Sequence, residues 1–285
     1  MGNRAQGRKF PGRVYRALDT ESHQHVAVKA EPCRLMLYLL EEEDEVYEVL
    51  KGERGFPESR LFAQQDGVNF LIMDLLGPSL DALFFTCGAQ FSLRTVVLIG
   101  LQATDHIETL HKAGYVHGDI KPGNFAISAE QADLTIFMID FGLSSRFYNN
   151  IYDAHIPYSE GHALTGTPLF ASLHQHKGIA YSRRDDVISL TYMLLYLLRG
   201  SLPWQHIGHP NSPMAINNDL MTAAKAKAKV YQLCGGFPSP LAHLFNYVML
   251  LHFDKEPNYK YIRLLLCHCL LGMAKSRGDS YDWEK

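Results

Sequence analysis

His117-Gly118-Asp119-Ile120-Lys121-Pro122-Gly123-Asn124, with Asp140-Phe141-Gly142 sixteen residues beyond Asn124, is the stretch that decides the fold. A lone Asp or Asn in such a segment reads as a turn former. The ordered combination H-x-D-x-K-x-x-N, a strand, then D-F-G asks for more than turn chemistry. It sets a carboxylate (Asp119) near a cation two residues on (Lys121) and puts two hard oxygen ligands, Asn124 and Asp140, on neighbouring loops. Phosphoryl transfer needs such a set: one group to orient an attacking hydroxyl, one to neutralise the moving charge, and two to share Mg²⁺ with ATP phosphates. Gly142 is expected to permit the backbone turn that aims Asp140 inward.

Outward from this stretch the chain changes character. Before it, Val26-Ala27-Val28 follows a polar turn, and Val68 to Met73 follows Asp66-Gly67, so both read as strands. Between them Leu37 to Leu50 reads as a helix, its acidic run a solvated face. Leu75-Leu76-Gly77-Pro78-Ser79 is a breaker cluster and marks a boundary between lobes. Beyond it, Ser92 is placed to cap a long helix ending near Gly114. Phe125-Ala126-Ile127 and Thr135 to Ile139 read as short strands, 183–198 as a buried helix, and the chain from Pro238 onward as mostly helical. Strands first and helices afterwards predict an α+β, bilobal fold with a small β-rich N-lobe and a larger helical C-lobe.

Composition narrows the partners. Of 285 residues, Lys+Arg number 27 against Asp+Glu 30, a net charge of −3, which argues against a broadly basic nucleic-acid binder. Apolar residues at 47% are ordinary for a globular chain, and no apolar run reaches the length of a membrane span. Five scattered cysteines do not form a disulfide framework, so a reducing compartment, the cytoplasm or nucleus, is expected. The start lacks an apolar signal core, and Gln6 breaks the myristoylation pattern. No nucleic-acid or membrane partner is therefore expected, and the chain is expected to be a monomer.

With these motifs in place, the chain resembles the protein kinases and, among them, the casein kinase I group. Leu75 to Leu80 matches that group's hinge signature. Leu164-Thr165-Gly166-Thr167 and Phe170-Ala171-Ser172 stand where most kinases carry Ala-Pro-Glu. Ser182 to Asp186, Gly200 to Gln205, and the closing Tyr281-Asp282-Trp283 complete the pattern. The resemblance implies one catalytic domain over 1–285: N-lobe 1–74, hinge 75–79, C-lobe 80–285. It implies transfer of the γ-phosphate of ATP to Ser/Thr hydroxyls of proteins, with Mg²⁺ or alternatively Mn²⁺. The family's roles extend to DNA-damage response, membrane traffic and signalling.

Residue by residue, the resemblance assigns Asp119 and Lys121 to catalysis and Asn124 and Asp140 to metal. Lys29 would hold the α- and β-phosphates, paired with Glu43, which stands four residues before Tyr47 as the family pattern E-x-x-[IV]-Y asks. Val14 and Ala27 would cover the adenine, Met73 line its back, and Asp74, Leu75 and Leu76 form the hinge. His117 and Gly142 would support the site. Asp186 would anchor the catalytic loop, a role compatible with an N-terminal helix carboxylate.

Three departures temper the resemblance. Gly12 and Val14 fit the end of a glycine-rich loop. Either Lys9 replaces its middle glycine and Pro11 removes an amide, or several loop residues are deleted; in both cases the lid is shortened. Gly118 replaces the arginine that usually grips a phosphorylated activation segment. Leu169 replaces a family arginine, and 206–220 contains no Lys or Arg, so a preference for primed acidic substrates is not expected. The shortened lid leaves a pseudokinase scaffold as the alternative function. Cys267-His268-Cys269, tempting as a metal site, reads as core packing, since residues at i and i+2 of a helix face apart.

Overall fold

In the computed structural model, the described residues are 13–33, 39–130, 132–149, 153–207, 214–271 and 281–284. The first part is a four-stranded antiparallel sheet of β1 (Arg13–Leu18), β2 (His25–Pro32), β3 (Ser59–Gln65) and β4 (Val68–Asp74), in spatial order β1-β2-β4-β3. Asp66 and Gly67 join β3 to β4 with φ +51° and +74°. Two consecutive positive φ values match the right-handed twist of a two-residue hairpin, which is why Asp-Gly stands there.

Helix α1 (Leu39–Val49) lies between β2 and β3 in sequence. Leu40, Glu43, Val46, Tyr47 and Leu50 fall on one side at helical spacing and are all buried. The neighbouring Glu41, Glu42, Glu45 and Glu48 are exposed, so the acidic run is solvated except for the one member that falls on the inward stripe. Asp44 accepts a bond from the Ser59 hydroxyl (2.5 Å), tying α1 to β3.

After the 75–79 connection the chain turns helical. Ser79 caps α2 (Leu80–Thr86) and Ser92 caps α3 (Leu93–Lys112), each hydroxyl accepting from an N3 amide. Then come β5 (Tyr115–Val116), a 3-10 turn at Pro122–Asn124, β6 (Phe125–Ile127), β7 (Ile136–Met138), β8 (Ser145–Arg146), β9 (Tyr148–Asn149) and β10 (Ala154–His155). These pair in twos: β6 with β7, β5 with β8, β9 with β10. The first hairpin carries the 117–124 loop and Asp140 at adjacent ends, which brings the two motifs together.

Among the described residues six further helices follow: α4 (Leu173–His176), α5 (Arg183–Arg199), α6 (Met214–Lys227), α7 (Val230–Cys234), α8 (Ser239–Met249) and α9 (Tyr259–His268). Helix α5 is buried from Arg184 to Leu198, packs on α3 and α8, and is the axis of the larger lobe. Tyr192 meets the fully buried Trp204 edge to face at 4.9 Å. No described helix is long and apolar enough to cross a membrane.

Two expectations are corrected. Cys269 is buried, but Cys267 and His268 are exposed at the end of α9, because its apolar stripe runs through Ile262, Leu265, Leu266 and Cys269. The positive φ beside Phe141 belongs to Asp140 (+67°), and Gly142 takes an ordinary backbone conformation. An aspartate tolerates the left-handed region where its short side chain is held locally, and here it is.

Candidate active site

A cleft of about 530 Å³ opens between the sheet and the helical part. Val14, Ala27, Lys29, Glu43, Met73, Asp74, Leu75 and Leu76 line its upper and outer walls; Asp119, Lys121, Asn124, Asp140 and Gly142 line its floor. The Asp74 carboxylate accepts from Arg60 Nε (3.0 Å) and Nη2 (2.8 Å) on β3, so this residue borders the cleft through its backbone. Gly12, together with Gly7, Lys9 and Pro11, lies outside the described residues. A second cavity, about 490 Å³ between Pro78 and Trp283, holds none of the residues assigned to the site.

One ammonium joins the two lobes. Lys29 Nζ on β2 donates to Glu43 Oε2 on α1 (2.6 Å) and to Asp140 Oδ1 (2.7 Å). Burial works against its charge, but Glu43 and Asp140 outweigh burial and hold its pKa above the ordinary lysine value. Burial raises the Glu43 carboxyl to about 7 against the pull of Lys29, and its Oε1 is buried without a partner. Asp140 is 45% exposed. Burial would raise its pKa, yet the Lys29 ammonium holds it below the usual carboxylate range. The Asp140 N–H donates to the hydroxyl of buried Tyr47 (3.1 Å), whose ring meets Phe141 edge to face at 4.8 Å. Main chain and side chain of Asp140 are thus both held in the left-handed turn.

Across the floor, Asp119 Oδ2 accepts from Lys121 Nζ (2.5 Å) and Oδ1 from the Thr167 N–H (2.7 Å). Asn124 donates its Nδ2 to the Asp119 carbonyl (2.8 Å), which leaves its amide oxygen as a donor atom. Asp140 is bound to Lys29 through Oδ1 and likewise has a second oxygen. Two hard oxygens on one cleft wall, one of them anionic, fit a Mg²⁺-sized cation shared with phosphates. His117 spends both ring nitrogens on the loop: Nε2 donates to the Ile139 carbonyl (3.2 Å) and Nδ1 accepts from the Asp119 N–H (3.2 Å).

Asp186, at the start of α5, is fully buried beneath this loop. Its Oδ2 accepts from the His117 N–H (2.8 Å) and His111 Nε2 (2.9 Å); its Oδ1 accepts from the Gly118 N–H (3.2 Å) and the Tyr181 hydroxyl (2.6 Å). Burial alone would raise its pKa, and these donors, His111 first, pull it below the usual value. Burial keeps His111 neutral, so its Nδ1 is free to accept from the Tyr259 hydroxyl (2.7 Å).

Tyr47, Thr167, His111 and Tyr181 are among the participants that carry no assignment from sequence. Tyr47 and Thr167 stand in quoted motif segments, so a signal for them existed. His111 and Tyr181 have none, because each acts through a contact that only the fold creates.

A small antiparallel sheet over a helical lobe, with an ammonium clasped by two carboxylates across the cleft and a second carboxylate–lysine pair on its floor, is the arrangement of a protein kinase domain. The family model described as "Protein kinase domain" matches residues 6–246, and the chain belongs to the protein kinase family. Within that family it is similar to Casein kinase I homolog 2 of Schizosaccharomyces pombe, with 35% identity over 275 residues, a match covering 95% of this chain. The chain spans 62% of that relative's length.

Proposed function

We propose that this chain is an active protein-serine/threonine kinase that uses ATP with Mg²⁺, or Mn²⁺ in its place. The observation that carries the reading is the pair of hydrogen bonds that Lys29 donates to Glu43 and Asp140 across the cleft, facing the Asp119–Lys121 pair. Lys29, its charge assured by two carboxylates, holds the α- and β-phosphates. The backbone of 74–76 meets the adenine, which Ala27 and Val14 cover and Met73 backs. Asn124 and Asp140 would hold the divalent cation, which would supply positive charge to offset that of the phosphates.

Asp119 orients a Ser or Thr hydroxyl through its carboxylate. The hydroxyl oxygen forms a bond to the γ-phosphorus as the bond to the β,γ-bridging oxygen breaks. The electron pair leaves with ADP, and the hydroxyl proton passes to the Asp119 carboxylate. Lys121, 2.5 Å from that carboxylate, neutralises charge on the transferring group. A scaffold reading has no observation in its favour, since every charged position is filled and bonded in place.

The test is transfer of labelled γ-phosphate to casein and to the chain itself, comparing wild type with Asp140→Asn and Lys29→Ala. Wild type is expected to transfer and both variants to fail. Equal inertness of all three with Mg²⁺ and Mn²⁺ sinks the enzyme reading. Mg-ATP is also expected to raise the melting temperature of wild type through ligand linkage.

A further inference from the structure

Lys225, near the end of α6, is only 5% exposed, yet no carboxylate among the described residues pairs with it. Burying an ammonium without a counter-ion is costly, so such a lysine needs another explanation. Its Nζ donates to the carbonyls of Pro168 (2.6 Å) and Ala171 (2.6 Å) and lies 3.1 Å from His176 Nε2. It also sits 5.3 Å from the ring centroids of both Tyr192 and Trp204. Between those two carbonyls, that of Leu169 accepts from Trp204 Nε1 (2.8 Å). Three of the four carbonyls in 168–171 are therefore held by buried side chains of the larger lobe.

The segment so held begins where the acceptor must lie. Thr167, the residue before it, donates its N–H to Asp119 Oδ1 (2.7 Å) and accepts from the Phe170 and Ala171 amides (both 3.0 Å). Thr167 thus borders the carboxylate to which the acceptor hydroxyl is presented. We infer that Lys225 is a positioning residue for the acceptor: with Trp204 it clamps the 168–171 turn from below, and through Thr167 fixes the wall against which the substrate chain and Asp119 are aligned. This rests on the kinase reading above and adds to it a residue remote from the ATP cleft. Burial pulls the Lys225 pKa down to about 6. A neutral amine still has two N–H donors for two carbonyls, so the clamp survives loss of the charge.

Lys225→Met keeps the stem and removes the donors. It is expected to raise KM for casein about tenfold, the scale of one buried carbonyl, that of Ala171, left unpaired, since the Pro168 carbonyl keeps His176 Nε2 at 3.1 Å. KM for ATP and the melting shift caused by Mg-ATP should stay as in wild type. Hydrogen exchange of the amides in 165–172 should quicken about tenfold, with α5 unchanged. An unchanged KM for casein, or equal rises for casein and ATP, overturns the inference. If wild type neither transfers phosphate nor responds to Mg-ATP, the kinase reading has failed by itself. Exchange then decides the clamp, and protection of 165–172 equal to wild type overturns it. Should Lys225→Met not fold, Trp204→Phe removes the donor to Leu169 while keeping an aromatic ring, and the same kinetic split and exchange change are expected.

Discussion

Asp140 and Asp186 are both aspartates whose pKa is held below the ordinary value against burial, and they do opposite work. Asp186 has no exposed surface and receives four hydrogen bonds, two on each oxygen. Nothing remains with which it can bind a ligand, so it serves as a fastener between α5 and the 117–119 backbone. Asp140, its side chain 45% exposed, has one side-chain partner among the described residues, Lys29, and sits on a left-handed backbone. Its remaining acceptor capacity faces the cleft. A carboxylate saturated by donors holds structure, whereas one left partly unsatisfied at a cost in strain is available for chemistry.

Replacing each by asparagine tests that division, and the largest effect is expected here. Asp140→Asn should lower phosphate transfer at least about a thousandfold, since it removes the anionic ligand of the cation and half of the clasp on Lys29. Its melting temperature should stay close to that of wild type. Asp186→Asn puts an NH₂ where donors converge and breaks a buried network, costing about 3 kcal/mol and lowering Tm by roughly 6–12 °C. Thermal melts alongside transfer assays decide: an Asp186→Asn protein that melts like wild type would remove the distinction.

A smaller effect is expected at the centre of the clasp. Lys29→Met strips Glu43 of the side-chain partner it has among the described residues, and a carboxyl buried to 2% exposure then takes up a proton. Transfer should drop roughly a hundredfold with most of the change in the ATP-dependent step. Glu43→Gln should give a loss of the same kind, because an amide cannot replace the charge.

The Glu43 carboxyl also gives a pH signature. Its folded pKa, about 7, lies above the usual 4.5 because burial opposes its charge and Lys29 only partly compensates. A raised pKa favours the protonated carboxyl in the folded state, so that contribution to stability is full below about 4.5 and lost as pH rises through 7. The bond to Lys29 needs the ionised form, so activity moves the other way. kcat/KM for ATP should fall about tenfold per pH unit below roughly 7, and that acid limb should be absent from the residual activity of Glu43→Gln. A flat profile from pH 5.5 to 8 in wild type would show that the pair stays ionised throughout.

What could be read beforehand follows from where the information resides. Helix α3 announced itself through Ser92, its apolar period and Gly114; strand β4 through the Asp66-Gly67 turn before it. Strand β3 itself did not, because Ser59–Gln65 is mostly polar and half exposed, and its conformation is imposed by pairing with β4. The two-residue strands β8, β9 and β10 likewise exist only as pairings. In the site, Asp119, Asn124 and Asp140 were legible because their chemistry constrains residue type and spacing together. Glu43 was legible through the family pattern alone, and its place on the inward stripe of α1 became visible only with the fold. His111 and Tyr181 reach Asp186 from different elements, one from 75 residues away, and no local pattern encodes such a contact. The choice of Asp140 over Gly142 for the positive φ was equally hidden, since it depends on Tyr47 and Lys29 holding the aspartate on both sides.

Gly118 yields the smallest effect, and it bears on the same fastener. Its amide is one of the four donors to Asp186, and its φ is +85°. A Cβ there would lie 2.6 Å from the Leu143 carbonyl oxygen, a backbone atom that cannot swing aside. Gly166 on the facing segment has φ +77°, and its Cβ would meet the Gly118 carbonyl at the same 2.6 Å. The His-Gly-Asp sequence is therefore fitted to two backbones in close approach, quite apart from the arginine it lacks. Gly118→Ala should cost about 1–2 kcal/mol through strain and crowding, which chemical denaturation can resolve. Because Asp186 fixes the loop through neighbouring donors, Gly118→Ala and Asp186→Asn should combine to less than the sum of their separate losses. Full additivity in that double-mutant cycle would mean that the Gly118 amide contributes nothing to the anchor.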